Sequence, residues 1–227
     1  DESESRGLGD VYKRQDNVRY SSVSFRQSGW IPQPILGILS SKIGDCKDMS
    51  SLGRAMLDII GIKSELVLVH TKVKRAFDKV SVGPNFNHAI LAYDLNGERR
   101  YMDLTGSNYS YSTLPSMDVG AMALLVQAGE QKLFPLPNQR LKAIFRNNID
   151  SLNSDGSFMR KSITQRKNDY AASFREDYRF LDEKERTKGL QKSVGKTYSG
   201  AVVSSFTVPN LNILQDSLSY EYLYNVE

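Results

Sequence analysis

The chain contains a single cysteine, Cys46, which follows Gly44 and Asp45. Asp45 is a good helix N-cap, and apolar residues then recur at helical spacing, so the sequence predicts a helix over 46–60 with Cys46 in its first turn. The unpaired N–H groups and the dipole at a helix N-terminus stabilise a thiolate, which is the reactive form of cysteine. The same N–H groups could bind the oxyanion that forms when a thiolate attacks a carbonyl.

A predicted β-hairpin offers a base for this thiol and a carboxylate to orient the base. Asn96-Gly97 favours a two-residue turn between strands over 87–94 and 99–103. With that turn, His88 would lie opposite Thr105, and Asp103 would be its diagonal neighbour on the same face. Diagonal neighbours lie about 7–8 Å apart at the backbone, a gap that an imidazole and a carboxylate can close with one hydrogen bond.

Each of these residues also has a structural explanation. A lone cysteine is often a small buried apolar residue, His88 could be a satisfied core histidine, and Asp103 could be a turn or cap residue. His70 has no carboxylate at a matching offset and is predicted to be structural. Zinc binding by Cys46, His88 and Asp103 stays an alternative, although no CxxC or HxxxH pair accompanies them. We predict no cofactor and no metal.

The other elements that must position these residues are predicted from periodicity and turn residues. Two prolines fix the loop over 28–34, just before the predicted helices. Strands are predicted over 17–27, 64–71, 121–127, 141–150, 157–166 and 217–226, and helical stretches over 35–43 and 168–193.

Pro135 and Pro137 indicate a domain boundary. We therefore expect a core domain over 16–137 and a second domain over 138–227. Residues 1–15 are polar and patternless, and they are interpreted as a disordered or non-native leader, with the natural N-terminus missing. Their lack of a secretory pattern therefore says nothing about export.

Composition excludes several classes of function. The 30 Lys and Arg and 26 Asp and Glu residues give a net charge of +4, and they are spread along the chain, which argues against nucleic-acid binding. No apolar run approaches the roughly 20 residues that span a bilayer, so no membrane-spanning segment is predicted. One cysteine rules out an internal disulfide and a multi-thiolate zinc framework.

Three short motifs, over 44–48, 86–90 and 101–105, resemble the transglutaminase-like superfamily and come in that family's order. More narrowly, they are similar to a bacterial version in which this core lies between two mainly β domains. The resemblance covers roughly residues 17–137. It implies an α+β, papain-like transglutaminase core, in which a nucleophile helix packs on an antiparallel sheet.

On the matching positions, the resemblance implies that Cys46 is the nucleophile, that His88 is the general base and then acid, and that Asp103 orients the imidazole. The Pro-containing segment before the nucleophile helix also matches the family. Gln27, Trp30 and Gln33 are candidates for the side chain that completes the oxyanion hole, although loop packing would explain each of them as well.

Residues 138–227 resemble the start of the β-rich domain that follows the core in this family, so we expect a partial β-rich α+β domain there. The rest of that domain and the family's N-terminal domain are expected to be missing parts of the same parent chain. The resemblance also implies a periplasmic or cell-envelope location.

The sequence leads to two hypotheses about function, an enzyme and a binding module. The first is an enzyme that acts on amide bonds of peptides or proteins through a thioester, with hydrolysis making it a peptidase or amidase and an amine acceptor making it an acyltransferase. The second is a non-catalytic binding or assembly module of a larger cell-envelope protein that retains the fold.

Overall fold

The computed structural model describes residues 17–22, 29–72, 86–129, 132–138 and 143–227. The predicted leader, the end of the first predicted strand and Gln27 lie outside these ranges. The described residues form two compact units. Both are built from α-helices and antiparallel sheets, so the predicted α+β class is confirmed at this level.

The first unit comprises the described residues up to 107 and from 111 to 138. Its main sheet is antiparallel, with strand order β5-β4-β3-β6-β7, and β1 and β2 form a separate short parallel pair. The elements are β1 (Arg19–Tyr20), α1 (Ile35–Ser41), β2 (Ile43–Gly44), α2 (Cys46–Ile59), β3 (Ser64–His70), β4 (His88–Leu95), β5 (Glu98–Met102), β6 (Met122–Leu125) and β7 (Leu133–Pro135).

Helix α2 begins at Cys46 because Asp45 caps it. The Asp45 carboxylate accepts hydrogen bonds from the N–H groups of Lys47 and Asp48, and the Asp48 carboxylate accepts one from the N–H of Asp45. This reciprocal capping box fixes the first turn. The predicted helix and the position of Cys46 are confirmed. The preceding helix α1 is two residues shorter than predicted, because Lys42 adopts a left-handed conformation with φ of 54°.

One face of α2 lies against the sheet at a glycine. A Cβ atom added to Gly53 would lie 2.2 Å from Leu104 Cδ1 and 3.0 Å from Leu91 Cδ1, both on buried side chains. The missing side chain therefore allows the close approach of helix α2 to β4 and to the segment after β5.

Replacing Gly53 by Ala should lower the free energy of unfolding by about 1–3 kcal/mol, since overpacking a full core outweighs the roughly 1 kcal/mol that Ala adds in helix propensity. Urea unfolding measures the change. Arg54→Ala, at an exposed position of the same helix, is the control and should change stability by less than about 0.5 kcal/mol. A Gly53→Ala protein more stable than the parent would contradict the packing described here.

The hairpin of β4 and β5 is confirmed with the predicted turn. Leu95 pairs with Glu98, and Asn96 and Gly97 both have positive φ, at 53° and 78°. Such values are typical of the type I′ turn that matches the twist of a hairpin.

The strand β5 ends at Met102, one residue earlier than predicted, and its pairing with β4 stops at Leu91. The expected ladder pairing of His88 with Thr105 is therefore wrong. Asp103 ends the strand by accepting hydrogen bonds from the N–H and hydroxyl of Thr105, both at 2.8 Å, which turns the chain away from β4.

The second unit comprises 108–110 and the described residues from 143 onward. Its antiparallel sheet has the order β10-β11-β9-β8, and its face is covered by aromatic side chains that pack with the helices. The elements are β8 (Ala143–Leu152), β9 (Phe158–Lys167), α3 (Asp169–Tyr178), α4 (Glu183–Thr197), β10 (Val202–Thr207) and β11 (Ser217–Val226).

The strands predicted over 141–150 and 157–166 are confirmed and pair as β8 and β9, and the predicted final strand is confirmed as β11. The single helical stretch predicted over 168–193 is instead two helices, because Asp182 starts the second one with its own capping box to Glu185. Strand β10 was not predicted. Across the described parts of the chain, we find no helix with the length and apolarity to cross a membrane.

Candidate active site

Cys46 is the first residue of α2 and is 5% exposed. Because the Asp45 carboxylate occupies the N–H groups of Lys47 and Asp48, these two are not available to a ligand. The N–H of Cys46 has no hydrogen-bond partner among the residues that the structure describes. It is therefore a free donor at the positive end of the helix, next to the sulfur atom.

His88 is the first residue of β4, and its Nε2 lies 3.0 Å from Asp103 Oδ2. This contact is the imidazole–carboxylate pair predicted from the hairpin. The Cys46 thiol lies close enough to the same imidazole to help raise the pKa of His88. The structure thus brings Cys46, His88 and Asp103 together around one imidazole ring.

Burial opposes a charge on His88, but the negative charge of Asp103 and the hydrogen bonds to Asp103 and Cys46 outweigh it and raise the pKa of His88 well above its ordinary value. Burial likewise opposes ionisation of Asp103. The charge of His88 and the hydrogen bonds from His88 and Thr105 nevertheless lower the pKa of Asp103. The pair is therefore suited to hold a proton on the imidazole beside a carboxylate anion.

A hydrogen bond links helix α2, which carries Cys46, to strand β4, which carries His88. The Ser50 hydroxyl, one helical turn after Cys46, donates to the carbonyl of Ala89 at 3.1 Å. Ala89 follows His88 in the chain and packs against Cys46. Ser50 thus fixes the distance between the two elements that carry the thiol and the imidazole.

Ser50→Ala should lower the free energy of unfolding by about 1–2 kcal/mol, because the buried Ala89 carbonyl loses its side-chain donor. Its neighbour Ser51 provides a matched control, since the Ser51 hydroxyl is buried and has no hydrogen-bond partner in the described ranges. Ser51→Ala should be neutral or stabilising in the same urea titration. Equal losses for the two variants would contradict a specific role for the Ser50 hydrogen bond.

The three side chains predicted for the oxyanion hole have different surroundings. Gln33 lies at the N-terminus of α2, but its backbone N–H and its side-chain amide donate to the Asp48 carboxylate at 2.8 and 2.9 Å. Trp30 is 48% exposed, and Gln27 lies outside the described residues. The assignment of these three side chains to the oxyanion hole stays a prediction. The geometry instead supports the free N–H of Cys46 as a donor to an oxyanion.

Two residues near this cluster were missed from the sequence. Asp118 is fully buried, and neither of its carboxylate oxygens has a hydrogen-bond partner among the described residues. Burial and the negative charge of Asp103 raise the pKa of Asp118 to about 8. It lies in a turn-rich segment whose composition gives no sign of contact with the hairpin.

Tyr20 is the second missed residue. It pairs with Gly44 in the short parallel ladder just before helix α2. Burial raises the pKa of Tyr20, and the charges of Cys46 and His88 act on its hydroxyl. Its phenol therefore stays protonated at neutral pH, as a polar donor beside the cluster. No sequence pattern links a tyrosine in that segment to the histidine strand.

The residues best placed to hold a metal ion are His88, Asp103 and Asp118, whose ligand atoms lie within 4.8 Å of one another. The zinc alternative drawn from the sequence combined Cys46 with His88 and Asp103, whereas this group contains Asp118 in place of Cys46. Nε2 of His88 is already hydrogen-bonded to Asp103. One proton on Asp118 would relieve the charge repulsion between the carboxylates, so the cluster needs no cation to explain it.

No family model matches the chain, and no curated protein matches it either. In its fold, the chain is similar to a crystal structure described as "a putative protease" from Parabacteroides distasonis, with a TM-score of 0.45 and 9% sequence identity. The similarity extends over 97% of this chain and 45% of that one. The chain therefore spans less than half the length of that protein.

Proposed function

We propose that the chain is a cysteine-dependent enzyme of the transglutaminase-like class that acts on amide bonds of peptides or proteins. Cys46 would be the nucleophile, His88 the general base and acid, and Asp103 the residue that orients the imidazole. The observation that carries the proposal is the 3.0 Å contact of His88 with Asp103, together with the Cys46 thiol on the same imidazole at a helix N-terminus.

The reaction begins with transfer of the Cys46 proton to His88, which leaves a thiolate beside an imidazolium. The sulfur attacks the amide carbonyl, and the resulting oxyanion accepts a hydrogen bond from the free N–H of Cys46. As the tetrahedral intermediate collapses, the C–N bond breaks and the imidazolium gives its proton to the leaving amine. The product that stays bound is a thioester on Cys46.

In the second half of the reaction, His88 removes a proton from the incoming nucleophile, which attacks the thioester. Attack by water releases a carboxylic acid, which would make the enzyme a peptidase or amidase. Attack by a primary amine forms a new amide, which would make it a transamidase. In both cases the sulfur leaves and recovers its proton from His88.

The order of the motifs and the packing of α2 against a sheet that carries His88 support a papain-like core. They agree with the resemblance of the three motifs to the transglutaminase-like superfamily. On that resemblance, we also propose a periplasmic or cell-envelope location and a longer parent protein as the working context.

A screen of glutamine-containing peptides, with and without an added primary amine, tests the function. Release of ammonia or of a new peptide N-terminus is expected from the parent protein, together with a thioester adduct on Cys46 that mass spectrometry detects. The amine-containing arm separates transamidation from hydrolysis. No turnover and no adduct in either arm, from protein that is folded by circular dichroism, would count against the enzyme.

The burial of Cys46 favours a second candidate, a non-catalytic binding or assembly module that retains this fold. In that case the Cys46 sulfur is a core atom that stabilises the fold by packing against Ala89. Cys46→Ala would then lower the free energy of unfolding by about 1 kcal/mol or more and change no reaction.

A further inference from the structure

Asp118 is a buried carboxyl group that takes no part in the proposed acyl transfer by Cys46, His88 and Asp103. It lies in a tight turn before β6, where its N–H donates to the carbonyl of Pro115 and its own carbonyl accepts from the N–H of Ala121, each at 2.9 Å. The backbone is thus fixed, and the side chain is fully buried. One of its carboxyl oxygens lies within 4.8 Å of a ligand atom on His88 and of one on Asp103.

As a carboxylate, Asp118 has no donor within the part of the chain that the structure describes, since both oxygens lack a hydrogen-bond partner there. As a carboxylic acid, its O–H is close enough to donate to the Asp103 carboxylate. An acceptor-only group that is buried without a donor costs free energy, and this cost disappears once the group carries a proton. The local geometry therefore favours the neutral acid.

Two carboxylates this close inside a protein do not both ionise, so one of them keeps a proton. The hydrogen bonds decide which one. Asp103 accepts bonds from His88 Nε2 and from the N–H and hydroxyl of Thr105, at 3.0, 2.8 and 2.8 Å, and all three stabilise its anion. Among the residues in the described ranges, no hydrogen-bond donor stabilises an Asp118 anion, so the proton belongs on Asp118.

We propose that Asp118 is a positioning residue that, as a neutral acid, donates a hydrogen bond to the Asp103 carboxylate and so fixes the carboxylate that orients His88. This inference rests on the proposed function for its effect on turnover, but not for the location of the proton. The titratable groups that face Asp118 among the described residues are His88 on β4 and Asp103 after β5.

The resting protonation state follows from the same surroundings. Burial and the charge of Asp103 raise the pKa of Asp118 from 3.8 to about 8. At neutral pH the donor is therefore present. When Asp118 ionises above pH 8, the hydrogen bond to Asp103 is lost and a second negative charge repels that carboxylate.

Three variants test the proposal through turnover. Asp118→Asn keeps the shape and gives Asp103 an N–H donor that does not titrate, so kcat at pH 7 should stay within about threefold of the parent. The decline in kcat/KM above pH 8 should shift to higher pH in this variant. Asp118→Leu removes the donor and should lower kcat by about tenfold or more. Asp118→Glu displaces the donor and should also lower kcat.

A structural role alone would affect the three variants according to their packing and would leave the pH profile of Asp118→Asn like that of the parent. That outcome would overturn the proposal. An Asn variant as inactive as the Leu variant would also overturn it, because it would mean that a negative charge or a metal ligand is needed at this position. Stoichiometric metal in the purified parent that is lost in Asp118→Asn would overturn it as well.

The location of the proton can be measured without any activity. Infrared difference spectra between the parent and Asp118→Asn at pH 6.5 should show the carbonyl stretch of one protonated carboxylic acid in the parent. Absence of that band in folded protein would overturn the proposal even if the enzyme is active. Presence of the band in a protein without turnover would leave the proton assignment intact and count against the proposed function.

The pH dependence of stability provides a second test of the proton on Asp118 that is independent of turnover. The unfolded chain loses the Asp118 proton near pH 3.8, whereas the folded chain keeps it to about pH 8. The contribution of Asp118 to stability is therefore complete below pH 3.8 and declines as pH rises to about 8. The Tm of Asp118→Asn relative to the parent should rise steadily between pH 5 and 8, and a constant difference would contradict the assignment.

Discussion

Replacing Cys46 by Ala should reduce amide turnover by at least about 1,000-fold, because the covalent step has no substitute nucleophile in the described cluster. The thioester adduct on residue 46 should disappear at the same time. Since the change removes one buried sulfur atom and creates only a small cavity, the free energy of unfolding should fall by no more than about 1 kcal/mol. Turnover and urea unfolding are measured on the same preparation.

Cys46→Ser is the matched control for size and polarity. A hydroxyl is a far weaker nucleophile than a thiol at neutral pH, so this variant should be nearly as inactive as Cys46→Ala while it keeps the parent's stability. Full turnover in either variant would mean that Cys46 is not the nucleophile. Unfolding of both variants would instead identify Cys46 as a core residue and favour the non-catalytic module.

Replacing Asp103 by Asn should lower kcat by about 1,000- to 10,000-fold with little change in KM. The change substitutes an amide for the anion that faces His88 Nε2 at 3.0 Å. An amide cannot stabilise an imidazolium and allows the ring to adopt the wrong tautomer. The hydrogen bonds from Thr105 to the other oxygen can persist, so the local turn should survive.

Asp103→Asn should also change the titration of His88. Burial lowers the pKa of His88, and the charge of Asp103 is the leading cause that raises it. Loss of that charge should therefore lower the pKa of His88 in an NMR titration of the ring protons. Asp94→Asn is the control. Asp94 is half-buried on β4, the strand that carries His88, and forms an ion pair with Arg99. This variant should leave both kcat and the titration of His88 unchanged. A kcat for Asp103→Asn within threefold of the parent would contradict the role of Asp103.

The parts of the fold that could be predicted are those with strong local signals. Asp45 before an apolar period of 3.6 residues indicates a helix start, and Asn96-Gly97 indicates a type I′ hairpin turn. The first signal places the thiol at a helix N-terminus, and the second brings the imidazole near the first carboxylate. The packing of this helix on the sheet was implied only by the resemblance to the transglutaminase-like superfamily. The error at the end of β5 arose because hairpin arithmetic does not account for an Asp side chain that captures the N–H of Thr105.

Contacts between segments far apart in the chain could not be predicted. The position of Asp118 depends on a turn-rich segment that returns to the sheet through β6, which pairs with β3. The short parallel ladder that places Tyr20 beside Gly44 involves only two residues on each strand and gives no periodic pattern. In the second unit, β10 was missed because its exposed polar residues hide the alternation that its partner β11 shows clearly.

The rate at which the Cys46 sulfur reacts with iodoacetamide measures whether His88 activates it. The chain has a single cysteine, so the labelled site is unambiguous. Between pH 5.5 and 7, we expect the folded protein to react at least about tenfold faster than free cysteine, since the imidazole takes the thiol proton, and His88→Ala should abolish the difference. If the protein reacts no faster than free cysteine across this pH range, or if the rate is unchanged in His88→Ala, then His88 does not activate Cys46.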